Sequence, residues 1–78
     1  MKEIVAIDSA DGTCFAILLQ EIAVIQKLNQ VIDGVETFGF KITLKNGIEF
    51  KGGFVKSREK RSENYGELIY SWFERIHN

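Results

Sequence analysis

Residues 38–55 read FGFKITLKNGIEFKGGFV, and their alternation constrains this chain more than anything else in it. Phe38, Phe40, Ile42 and Leu44 are apolar at every second position, with Gly39, Lys41, Thr43 and Lys45 between them. After Asn46-Gly47 the pattern resumes, with Ile48, Phe50 and Phe54 on one side and Glu49 and Lys51 on the other. Period two over this length predicts two half-buried strands joined by a tight turn.

The turn chemistry sets the register. A two-residue Asn-Gly loop would pair Lys45 with Ile48 and Leu44 with Glu49. Every cross-strand pair would then mix core with solvent, which a half-buried sheet does not tolerate. A three-residue loop, Lys45-Asn46-Gly47, removes the conflict, with Gly47 in the left-handed position of a bulge. It predicts Leu44 facing Ile48, Ile42 facing Phe50, Phe38 facing Phe54, and Lys41 facing Lys51 on the outer side. Gly39 falls opposite Gly53. That pair reads as a bend or bulge in a twisted sheet, the alternative being a low spot where another backbone or a partner approaches.

The chain has 78 residues, so it reads as a single small domain over residues 1–78. A hydrophobic share of 45% supports a core, and a net charge of −1 provides no global field for a polyanion. Cys14 is the one cysteine and makes no internal disulfide. Met1-Lys2-Glu3 does not read as the start of a signal peptide, and no apolar run approaches a membrane span. The expected compartment is a reducing cytoplasm, of a bacterial or phage-like kind.

Residues 3–7 and 13–19 are β-branched and apolar runs flanking the turn cluster Ser9-Ala10-Asp11-Gly12. They predict a hairpin apolar on both faces, covered on both or central in its sheet. Residues 20–33 (QEIAVIQKLNQVID) fit either a strand that extends the meander or a helix stopped at Gly34. Tyr65, Leu68, Ile69, Trp72, Phe73 and Ile76 recur at three and four, an amphipathic helix with Glu63, Glu67 and Glu74 toward solvent. Asn64 followed by Glu67 supplies a cap, with Ser57 or Ser62 as earlier starts. The fold class expected is α+β: a curled antiparallel sheet of four or five strands with one C-terminal helix packed across it, Trp72 its largest plug.

Residues able to carry chemistry are few. His77 is the one histidine and stands next to last, and Cys14 reads as a buried, inert thiol. One His and one Cys do not make a structural zinc site, and Gly52-Gly53 lacks the Lys-Ser or Lys-Thr of a phosphate loop. No enzyme, metal or cofactor is expected. Lys51, Lys56, Arg58, Lys60 and Arg61 lie against the single acid Glu59, so residues 51–61 carry +4 while the remainder carries −5. With Lys41 they form the candidate anion or partner contact. A solvated loop leading into a helix explains the same charges.

One helix covers one sheet face, so the apolar Val5, Ile7, Phe15, Ile17 and Leu19 become candidates for self-association. The functional expectation is a small non-enzymatic binding or adaptor protein that works through protein–protein contacts as a homo-oligomer. The alternative is a nucleic-acid-binding module that uses residues 51–61. The segments LLQEIAVIQK (residues 18–27) and ITLKNGIEF (residues 42–50) together resemble a family of small bacterial flagellar regulatory proteins. The similarity covers under half of the chain and consists mostly of hairpin chemistry. The chain is longer at its N-terminus and differs in its helix, and no function is carried over.

Overall fold

The computed structural model describes residues 3–77. Its elements run β1 (Ile4–Asp8), β2 (Cys14–Leu18), a single 3₁₀ turn (Leu19–Glu21), β3 (Ile22–Ile32), β4 (Val35–Leu44), β5 (Glu49–Val55) and α1 (Arg58–His77). The chain is α+β, as expected, and the ambiguous middle segment is a strand. The predicted single curled sheet is corrected: β1 and β2 form one antiparallel sheet, and β3, β4 and β5 form another in that order.

The β4–β5 turn is the three-residue loop the alternation requires. The Leu44 N–H donates to the Ile48 carbonyl at 2.8 Å, the Gly47 N–H donates to the Leu44 carbonyl at 2.9 Å, and Gly47 has φ +92°. Asn46 completes it by accepting the Ile48 N–H on its side-chain oxygen at 3.0 Å. The β1–β2 turn repeats this construction: Ser9 N–H to Thr13 carbonyl, Gly12 N–H to Ser9 carbonyl, and Thr13 N–H to the Asp11 carboxylate. The β3–β4 turn is tighter. Ile32 pairs with Val35 across Asp33-Gly34, both with positive φ, the two-residue loop that Asp-Gly favours.

Ile42 pairs with Phe50 and Lys41 with Lys51, as the pattern predicts. The predicted pairing of Phe38 with Phe54 is corrected, because Phe38 lies opposite Val55 and the register shifts between Phe38 and Phe40. Gly53, at φ +68°, is the extra residue of a bulge. The bulge turns Phe54 to the other face of the sheet, where its ring covers Gly39; a Cβ on Gly39 would lie 2.5 Å from it. A bulged strand also bends. Accordingly β1 meets β5 at Gly52, where a Cβ would lie 2.6 Å from the Asp8 carbonyl oxygen, and the two strands form no ladder.

One face of the three-stranded sheet carries Ile22, Ile25, Phe40 and Ile42, and two pieces cover it. The β1–β2 hairpin contributes Ile7 and Ile17, and Phe15 lies 4.7 Å from Phe50, ring centre to ring centre. Helix α1 contributes Leu68, with Tyr65 stacked on Phe40 at 5.9 Å and Ile69 and Trp72 beside them. Leu19 is fully buried between these pieces. Burial of aliphatic and aromatic side chains is the main favourable term for so small a core. Ser57, the earliest of the starts the sequence offers, begins the helix in place of Asn64, its hydroxyl accepting the Lys60 N–H at 3.2 Å. The predicted apolar stripe stops short of the C-terminal turn: Ile76 is half exposed, and Phe73 is exposed and stacks on His77 at 4.0 Å. Arg75 ties that end to the 3₁₀ turn and to the residue before β1, donating to the Gln20 side chain at 2.9 Å and lying 3.7 Å from the Glu3 carboxylate.

Candidate functional site

The best-formed concavity is a cleft of about 360 Å³ between β1, the bulged end of β5 and α1, within the usual range for ligand pockets. Residues 5–8 of β1 and residues 53–55 of β5 border it, and Phe40 and Leu68 contribute apolar surface. Consecutive residues of a strand point to opposite faces. Runs of three and four consecutive residues therefore mark the cleft as bordered by strand edges. Among the described residues β1 is laddered only to β2 and β5 only to β4, so the other edge of each carries no ladder, and the two meet only where the Asp8 carbonyl seats on Gly52. Helix α1 contributes Asn64, Glu67 and Ser71, and Asp8 and Glu67 are the ionisable residues of the lining. The cleft thus has an apolar interior, an acidic border at Glu67 and strand edges without a ladder. Sequence reasoning missed it. The signal present was Gly52-Gly53, since glycines inside a strand pattern mark a bulge or a close backbone approach, and here one does each.

The residues read as a basic contact do not converge. Arg61 is only 7% exposed, beneath the helix, and one of its terminal nitrogens donates to the Leu28 carbonyl at 3.3 Å and to Asn29 Oδ1 at 3.0 Å. Its guanidinium lies 5.4 Å from the Phe38 ring centre and that of Arg58 lies 5.0 Å from it. No described carboxylate is within ion-pair distance of Arg61. Lys60 pairs with Glu63 at 3.7 Å on the helix surface, and Lys56 is exposed after β5. Lys41 and Lys51 stand on the opposite face of the sheet, where Lys41 pairs with Glu49 at 2.9 Å. The +4 of the sequence is spread over two faces and a buried position.

The residues read as a self-association surface lie on the inner side of their hairpin. Ile7, Ile17 and Leu19 are in the chain's own core, and Val5 and Phe15 pack partly buried against it. Pairing sets Ile4 opposite Leu18 and Ala6 opposite Ala16 on the outer side, and all four are exposed. The hairpin is therefore covered on one face only, which corrects the prediction of two covered faces. Cys14 shares the outer side and is exposed, contrary to the buried thiol expected, because its place in the alternation matches Ala16 and Leu18. A hydrogen bond to the neighbouring Asp8 carboxylate pushes its thiol pKa up, so exposure does not make it a ready nucleophile. At the tip of this hairpin the Ser9 hydroxyl and the Thr13 N–H, both donating to the Asp11 carboxylate, lower its pKa to about 2.

Among the described residues no group of three or more His, Cys, Asp or Glu is placed to hold a metal ion, and no helix is long and apolar enough to cross a membrane. No family model, no curated protein and no solved structure matches the chain. The resemblance carried by residues 18–27 and 42–50 therefore gains no support from them.

Proposed function

We propose that this chain is a small non-enzymatic adaptor of the cytoplasm that acts through protein–protein contacts and associates with itself through the outer face of the β1–β2 hairpin. The observation that carries the reading is the character of that face. Ile4 is 52% exposed and Leu18 46%, with Ala6 and Ala16 exposed beside them. A contiguous apolar face on a small protein is a candidate interaction surface. The face also suits a second copy of itself. Ile4 and Leu18 form a raised pair and Ala6 and Ala16 a flat one, so a two-fold arrangement sets the raised pair of one protomer on the flat pair of the other. A single free cysteine fits a reducing compartment.

Light scattering at micromolar concentration tests this. The expected mass is twice 8.9 kDa. Leu18→Lys is expected to give a folded monomer, because the side chain is exposed. Ile17→Lys is expected to unfold the chain, because Ile17 is only 3% exposed. A monomeric unmutated protein overturns the self-association.

A further inference from the structure

We infer that the cleft between β1, β5 and α1 binds an extended, basic segment of another protein, which adds as a strand to the cleft-side edge of β1. The inference rests on the protein-binding reading above and specifies a second surface, apart from the outer face of the hairpin. Three observations converge on it. First, the cleft is bordered by two strand edges that carry no ladder among the described residues, residues 5–8 on one side, seated on β5 at Asp8, and 53–55 on the other. Unpaired strand edges are templates for an incoming strand, and main-chain hydrogen bonds supply much of the affinity in such complexes. Second, the gap is built into the backbone. At Gly52 the strands touch, and beyond the bulge at Gly53 the cleft lies between residues 53–55 and β1. Third, the lining selects the occupant. Phe40 and Leu68 offer apolar surface to one set of alternating side chains. Glu67 is the acid that α1 sets on the border, Asp8 reaches it through its backbone with the carboxylate toward Cys14, and among the described residues no Lys or Arg lines the cleft. A segment alternating apolar with Lys or Arg residues complements both features, and one alternating apolar with acidic residues is repelled.

Fluorescence polarisation and amide chemical-shift mapping test the proposal with three labelled octapeptides. One alternates valine and lysine, one alternates valine and glutamate, and the third is the lysine peptide N-methylated at alternate backbone amides. The lysine peptide is expected to bind and to shift the amides of residues 5–8 and 53–55. The glutamate peptide is expected to bind about tenfold or more weakly. The N-methylated peptide keeps its charge and is expected to lose binding, because it cannot complete a ladder. Glu67→Lys, a change at an exposed helix position, is expected to abolish the charge preference. Equal binding of the lysine and glutamate peptides, undiminished binding after N-methylation, or no binding of the lysine peptide overturns the proposal. So do shifts confined to Ile4 and Leu18, or dissociation of a dimer by the peptide, which would make a second copy the occupant of the cleft. Peptide failure with the dimer intact overturns the cleft alone. Peptide binding by a monomeric protein overturns only the self-association.

Discussion

Replacing Gly52 and Gly66 by alanine, one at a time, is expected to move stability in opposite directions. A Cβ at Gly52 would lie 2.6 Å from the Asp8 carbonyl oxygen and 2.6 Å from Ile7 Cγ2. The carbonyl is backbone and has no rotamer to change, so β1 has to shift as a unit, and that shift draws Ile7 from the core. Overpacking of this kind costs about 1–3 kcal/mol. The reduced freedom of the unfolded chain returns about 0.4–1 kcal/mol. The net loss is about 1–2 kcal/mol. At Gly66, inside α1, nothing lies within 4 Å of the added methyl, and the gain is about 1 kcal/mol from helix propensity. Urea unfolding followed by Trp72 fluorescence and far-ultraviolet circular dichroism measures both, at one protein concentration because association adds to apparent stability. With a slope near 1 kcal/mol per molar for a chain this small, the Gly52→Ala midpoint falls by about 1–2 M and the Gly66→Ala midpoint rises by about 1 M. A Gly52→Ala midpoint at or above that of the unmutated protein would refute the seating of the Asp8 carbonyl against β5. The Gly66→Ala result separates that outcome from a general benefit of alanine.

Trp72→Ala is expected to destabilise by about 3 kcal/mol, the low end for a truncated aromatic, because the ring packs against the core while remaining partly exposed. Native emission shifted to the blue of free tryptophan checks the placement, and emission at the value for open water would refute it. Acid stability depends on Asp11, whose folded pKa of about 2 lies below its ordinary value of 3.8. Its contribution is therefore fully present above about pH 4 and is lost as pH falls through about 2. Asp11→Asn keeps the turn acceptor, as Asn46 does in its own loop, and is expected to flatten the fall in urea midpoint between pH 4 and pH 2. A variant with the same slope as the unmutated protein would show that the Asp11 carboxylate does not set it.

The sequence by itself determined what is local. The alternation of residues 38–51 and the Asn46-Gly47 turn led to the three-residue loop and to the pairs Ile42–Phe50 and Lys41–Lys51. Side-chain period and turn geometry are properties of a few neighbouring residues. The stripe from Tyr65 to Trp72 was legible for the same reason, and so, in principle, was the Asp33-Gly34 hairpin. Tertiary structure decided what a local pattern leaves degenerate. Residues 22–32 suit a strand or a helix, and β4 settled the matter by supplying the partner for the backbone hydrogen bonds. Runs that are apolar on both sides, such as 4–7 and 15–19, do not say which side is inner, and one-sided cover by the rest of the chain put Ile7 and Ile17 inside and Ile4 and Leu18 outside. Among clustered cations, only the helix crossing over Phe38 separated the buried Arg61 from the exposed Lys60. The cleft belongs wholly to this second class: Asp8, Phe40, Gly53 and Glu67 are brought together from four separate stretches of chain, and no spacing along the sequence records their meeting.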